Sequence, residues 1–145
     1  MFLNTLKILQ ADVEAKEKDG WTALIWAARR GNQAILTELL RAKAHPNAST
    51  NNGRTALHLP AGNGSQAIIT ELLQAKTQPN ASDNKGWTAL HQAAYNGRQA
   101  AVDLLLQAKA DPTAVDKNGD TAAKRAEAVG HAELAQRLIQ AEGLA

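Results

Sequence analysis

Glycine stands at positions 20, 53, 86 and 119, each 33 residues from the last. A second series at 31, 64, 97 and 130 keeps the same step, and so do Pro46, Pro79 and Pro112. A period held without insertions restricts the fold to one small unit used several times, each burying its apolar face against a neighbour. The fullest copy is Gly86-Trp87-Thr88-Ala89-Leu90-His91. Gly20-Trp21-Thr22-Ala23-Leu24 and Gly53-Arg54-Thr55-Ala56-Leu57-His58 precede it, and Gly119-Asp120-Thr121-Ala122-Ala123 follows as a fainter copy.

Each copy reads as a turn and two helices. Asp, Asn or Lys before the first glycine makes a tight turn in which glycine supplies the positive φ. Thr22, Thr55, Thr88 and Thr121 are placed to cap a helix, their hydroxyls taking free backbone N–H groups. First helices are expected over 23–29, 56–61, 89–95 and 122–128, each ended by the second glycine. A second helix then carries Ile35, Leu36, Leu39 and Leu40, matched by Ile68, Ile69, Leu72 and Leu73 and by Ala101, Val102, Leu104, Leu105 and Leu106. That spacing is one helix face. The three prolines stop any continuation.

The second copy departs from this scheme. Pro60 falls about five residues into the expected first helix, where its missing N–H and crowding ring cost ~3 kcal/mol in a free helix. Gly62 adds roughly 1 kcal/mol. A kinked or shortened helix is predicted at 56–61.

The ends differ from the middle. Residues 2–10 suggest a short apolar helix, and 11–15 match the end of a unit, so the chain opens with a partial copy. Such an end is a thin cap or a self-association surface. In the last copy Lys124, Arg125 and Glu127 replace Ile25, Trp26 and Ala28, and the final helix, about 132–140, adds Gln136, Arg137 and Gln140. Polar residues there predict a closing cap. The reading gives one domain over 1–145, divided as a partial repeat 1–15, repeats 16–48, 49–81 and 82–114, and a capping repeat 115–145.

Composition narrows the function classes. Aromatic residues make up 3%, and alanine supplies much of the 44% apolar content, which favours closely packed helices. A net charge of +2 is too mild to argue for nucleic acid or an anionic membrane. With no cysteine there is no disulfide or thiolate metal site. The N-terminus has no basic region followed by a sustained apolar run, and no stretch approaches the ~20 apolar residues of a membrane span. The expectation is an intracellular, cytoplasmic protein. No catalytic constellation emerges. Ser49, Ser65 and Ser82 lie in no nucleophile elbow, and Gly62-Asn63-Gly64 follows no strand and carries no phosphate-loop lysine. His45, His58, His91 and His131 share no recurrent acid at zinc-ligand spacing. Neither enzyme activity nor a cofactor nor a metal is expected.

Gly-x-Thr-Ala-Leu-His, Ala-Ala-x-x-Gly, Leu-Leu and Ala-x-Ala-x-Pro-Asn-Ala at this step resemble the ankyrin repeat, over about residues 11 to 145. The resemblance implies an all-α ankyrin-repeat solenoid of helix-turn-helix units joined by β-turn loops. It also implies that His58 and His91 orient the turns, and that turn tips and first helices line a concave face that binds proteins. Three features differ from the family pattern. Alanine at 23, 56, 89 and 122 replaces the proline at the first helical position, and Pro60 and Gly62 interrupt the second copy. Lys43, Lys76 and Lys109 stand where the family usually has glycine after the second helix. If they keep a left-handed conformation each costs on the order of 1 kcal/mol, partly offset by a cation at the helix C-terminus.

The slot after the turn glycine holds Trp21, Arg54, Trp87 and Asp120, and a solenoid projects such a slot in a row. Helices pack ~8–10 Å apart, so Arg54 is expected between two exposed tryptophans. Before the second glycine come Arg29-Arg30, Gly62-Asn63, Tyr95-Asn96 and Ala128-Val129. Candidate partner-binding residues are therefore Trp21, Arg29, Arg30, Arg54, Asn63, Trp87, Tyr95 and Asn96. Gly62 is expected to leave a dent in this face, and Trp26 is assigned to the core. The expected function is non-enzymatic capture of a protein partner by a monomer. Polyanion binding through Arg29, Arg30, Arg54, Arg98 and the lysine row, and a scaffold or homo-oligomer role, are the alternatives.

Overall fold

The computed structural model describes residues 13–145. The apolar opening helix expected over 2–10, and with it most of the partial repeat, lies outside the described residues. Within them the protein is all-α, with an isolated bridge between Ser49 and Thr55 in place of any strand. A 3-10 turn at Lys18–Gly20 leads into four helix pairs. These are α1 (Ala23–Arg30) with α2 (Gln33–Arg41), α3 (His58–Asn63) with α4 (Gln66–Gln74), α5 (Ala89–Tyr95) with α6 (Gln99–Gln107), and α7 (Ala122–Ala128) with α8 (Ala132–Leu144).

Both helices of a unit end in the same motif but with different residues. Gly31 is left-handed at φ 68°, its N–H donating to the Ala28 carbonyl while Asn32 N–H reaches the Ala27 carbonyl. Lys43, Lys76 and Lys109 repeat that geometry after α2, α4 and α6, at φ 65°, 68° and 70°. Lys43 N–H donates to Leu40 and Ala44 N–H to Leu39, and the other two lysines follow suit. The lysines thus adopt the glycine conformation expected of their slot. Helix α8 runs on to Leu144, because no proline interrupts it after Gln140.

Helix α3 is shortened, and also shifted. It begins at His58 rather than Ala56. Starting there puts Pro60 in the first turn, where no backbone N–H is required of it. The shift removes a cap. Thr22, Thr88 and Thr121 accept the N–H three residues on, at Ile25, His91 and Lys124. Thr55 Oγ1 accepts only Leu57 N–H, and α3 has no side-chain cap.

The core is continuous along the array. Leu24, Leu36, Leu39, Leu57, Ile69, Leu72, Leu90, Leu105 and Leu138 are almost wholly buried. Small residues (Ala27, Ala28, Ala61, Ala93, Ala94 and Ala126) let the first helices approach closely. From the second unit on, first helices of neighbouring units pack more tightly than second helices do. The array therefore curves toward the first-helix side.

Units are also tied by three polar ladders. At the turn tips Asn51, Asn84 and Lys117 N–H groups donate to the carbonyls of Asp19, Asn52 and Lys85, at 2.8, 2.9 and 3.1 Å. Behind the second helices, Glu14, Asn47 and Asn80 accept from the backbone N–H of His45, Gln78 and Asp111 in the following unit, at 2.6, 2.8 and 2.6 Å. The third ladder, made by histidines, underlies the front face.

Candidate partner-binding face

The face begins with the turns that aim it. Asp83 Oδ1 accepts N–H bonds from Lys85 and Trp87, both at 2.9 Å. Asp116 Oδ1 does the same for Asn118 and Asp120, at 2.9 and 3.1 Å, and Thr50 Oγ1 for Asn52 and Arg54, at 3.3 and 3.2 Å. A short side-chain oxygen is what this position requires. Glu17 occupies the slot in the first unit and instead accepts the Trp26 indole N–H at 3.1 Å. Burial by itself would raise the Asp116 pKa. The N–H groups of Asp120 and Asn118 and the Arg125 guanidinium outweigh it and hold the carboxyl below its ordinary value.

The histidines fix each turn to the next. Thr55 N–H donates to His58 Nδ1 at 3.1 Å, which leaves Nε2 to carry the proton and donate to the Trp87 carbonyl at 2.9 Å. His91 takes Thr88 N–H at 3.2 Å and donates to the Asp120 carbonyl at 2.9 Å. Both imidazoles are buried. Burial disfavours the charged form, and the His58 pKa is lowered accordingly. The acceptors are the backbone carbonyls of the slot residues, so the histidines set where Trp87 and Asp120 project.

On this base the side chains form two clusters rather than one row. In the first unit Trp21 and Trp26 lie 4.6 Å apart, ring centre to ring centre. The Arg29 guanidinium sits 5.3 Å from Trp21 and 5.6 Å from Trp26, and Arg30 sits 5.6 Å from Trp26. Across the third and fourth units Trp87 meets Tyr95 edge-on at 5.4 Å, and Arg125 lies 5.2 Å over the Trp87 ring. Arg125 is also paired with Asp116 at 2.5 Å and Asp120 at 3.2 Å. Tyr95 is 43% exposed, the indoles are half-buried, and Arg29, Arg30, Asn63 and Asn96 are exposed.

Several expectations need correction. Arg54, in the slot between Trp21 and Trp87, stacks on neither ring. Its Nε stands 3.9 Å from Asp83, a carboxylate that the turn has already fixed. Trp26 is no core residue but half of the first aromatic pair, while the neighbouring Ile25 is fully buried. Its equivalents are Leu59, Gln92 and Arg125, a mixture of types that marks a surface slot. Arg125, read as a capping polar residue, bridges two units. The dent at Gly62 is lined, since the Asn96 and Gln92 side chains lie 3.4–3.9 Å from where a Cβ would be. Arg98 Nε–H donates to the Gly62 carbonyl at 3.1 Å, so that arginine is engaged with its neighbour. The lysine row stands at the opposite end of the helix pairs from Arg29 and Arg30.

A family model described as "Ankyrin repeats (3 copies)" matches residues 2–83 and again 61–144. The chain belongs to the ankyrin-repeat family. No curated protein matches it. Ankyrin repeats are generally protein–protein interaction modules, typically without enzymatic activity. The His58 and His91 bonds are the turn-orienting contacts that the ankyrin resemblance implied. Among the described residues no three His, Asp or Glu side chains converge on a metal position, and no helix is long and apolar enough to cross a membrane.

Proposed function

We propose that the protein is a non-enzymatic binding module that captures a protein partner on its first-helix face. The binding residues are Trp21, Arg29, Arg30, Arg54, Asn63, Trp87, Tyr95 and Asn96, and Trp26 joins them. One observation carries the assignment. The turn and cap residues repeat because the backbone needs them, whereas the slots between them hold aromatic and arginine side chains stacked on one another at the surface. Tryptophan, tyrosine and arginine dominate interface hot spots, since they bury much area with little loss of rotamer freedom. Changing Trp21, Arg54, Trp87 and Tyr95 together to Ala should abolish partner capture in a pull-down while thermal unfolding stays cooperative. Capture that survives all four changes puts the site elsewhere.

A further inference from the structure

Two arginine–tryptophan clusters occupy the front face, and only one is complete. Arg125, stacked on Trp87, has its Nε and Nη2 on Asp116 Oδ2 at 2.7 and 2.5 Å, and Nη2 on Asp120. Arg29 and Arg30 stack on Trp21 and Trp26 at comparable distances, yet neither is paired with a carboxylate of the described residues. None of the first unit's acids, Glu17, Asp19 and Glu38, pairs with either arginine. The slots of Asp120 and Arg125 are filled there by Trp21 and Trp26, and Glu17, in the slot of Asp116, accepts the Trp26 indole N–H. A guanidinium held flat on an indole keeps its in-plane N–H fork free for a carboxylate. The protein thus displays, in its own fourth unit, the group that completes such a cluster.

We infer, taking the first-helix face as the binding face, that its partner is an extended acidic segment of another protein whose carboxylates complete Arg29 and Arg30. The charge distribution agrees. Turns and first helices (16–32, 49–65, 82–98, 115–131) carry ten Lys and Arg against six Asp and Glu, whereas the second-helix stretches (33–48, 66–81, 99–114, 132–145) carry five against six. Three of those six front acids, Asp83, Asp116 and Asp120, already face arginines, and residues 49–65 contain none. From the first unit the segment crosses Gly62, where the Gln92 and Asn96 carboxamides present groups that suit a peptide backbone. It ends with an apolar or aromatic side chain against Trp87 and Tyr95. Two helix steps span roughly 20 Å, which is about six residues of extended chain. A nucleic acid fits less well, because Arg125 is neutralised and the lysine row is on another side, so there is no continuous basic stripe.

The test uses poly(Glu,Tyr), an acidic copolymer bearing aromatic rings, titrated against the full chain by fluorescence anisotropy. Arg29→Ala with Arg30→Ala should weaken binding at least tenfold without moving the thermal transition, whereas Lys76→Ala with Lys109→Ala, at the far end of the helix pairs, should leave it unchanged. Arg29→Glu with Arg30→Glu should lose poly(Glu,Tyr) and gain poly(Lys,Tyr). No binding of poly(Glu,Tyr) at low salt, or binding indifferent to the arginines, overturns the inference. So does tighter binding of a single-stranded oligonucleotide or heparin through the same arginines. The broader assignment fails separately. A partner lost by the four-residue front variant, whose cross-linked segment carries no acid, removes the acidic class and leaves the face. A partner still captured by that variant removes the face itself.

Discussion

The two ends of the front face use the same side chains to opposite effect. At the C-terminal end tryptophan, arginine and aspartate are closed on one another, and His91 bonds the third turn to the fourth. At the N-terminal end tryptophan and arginine stack with Glu17 on the Trp26 indole and no carboxylate of the described residues on the guanidiniums, and Ile25 replaces the bridging histidine. The Arg125 ion pair is closed within the fourth unit, and the stack on Trp87 ties that unit to the third, which leaves the guanidinium fully engaged. The open cluster contributes less to the fold and keeps its donors. On the reading proposed above, charge recognition falls to the N-terminal end, while the closed end offers a partner only its aromatic rings.

The largest effect expected from that contrast is on stability. Asp116→Ala leaves the Arg125 guanidinium on Asp120 alone and frees two turn N–H groups, and should cost about 2 kcal/mol. Arg29→Ala, on the exposed open cluster, should stay within about 0.5 kcal/mol. Urea unfolding of the two variants measures the difference, and equal losses would erase the distinction between the ends. Next comes pH. The unfolded chain protonates His58 near its ordinary value of 6.5, while the folded chain does so only at lower pH because the site is buried. The contribution of neutral His58 is complete above about pH 6.5 and falls away as pH drops below it. Hydrogen exchange on acidification should therefore loosen the junction of the second and third units, and His58→Gln should flatten the dependence.

A smaller gain should come from repairing the unit between the two ends. Pro60→Ala with Gly62→Ala lets α3 start at Ala56 under a Thr55 cap, and should add about 1 kcal/mol together with a rise in helical circular dichroism. The added Cβ at 62 meets Asn96 at 3.4 Å, an ordinary contact. The smallest effect sharpens the contrast from behind. Lys43→Gly, Lys76→Gly and Lys109→Gly each relieve a left-handed lysine and lose a helix-end cation, for a net gain of about 0.5 kcal/mol apiece. A graded series instead of three equal shifts would show that the difference between the ends is not confined to the front.

The fold was legible because a unit that cannot bury its own face must repeat, and the glycines, threonines and prolines mark the backbone positions that force it. The site was legible only as a slot. Comparing residues one period apart reveals what is equivalent, such as Trp21, Arg54, Trp87 and Asp120, but the arginine contacts of the front face between units are offset from the period. Arg125 reaches Trp87 across 38 positions, and Arg98 reaches Gly62 across 36. Trp26 misled for a related reason. An indole beside the buried Ile25 looks like core until its equivalents are seen to include Gln92 and Arg125. The shift of α3 followed from proline chemistry in kind, though the new start at His58 depended on which carbonyls the first turn could leave free.

The histidine ladder also gives the array a direction of growth. Each imidazole reaches forward to a carbonyl in the next unit, so a unit with histidine can be followed by any unit and one without it leaves that bond unmade. Copying the 33 residues around His91 in tandem would insert a link that both gives and receives. Copying those around Ile25 would insert one that only receives, and copying those around Lys124 would do the same. Lengthening of this chain by duplication is thus favoured from its middle and disfavoured from either end.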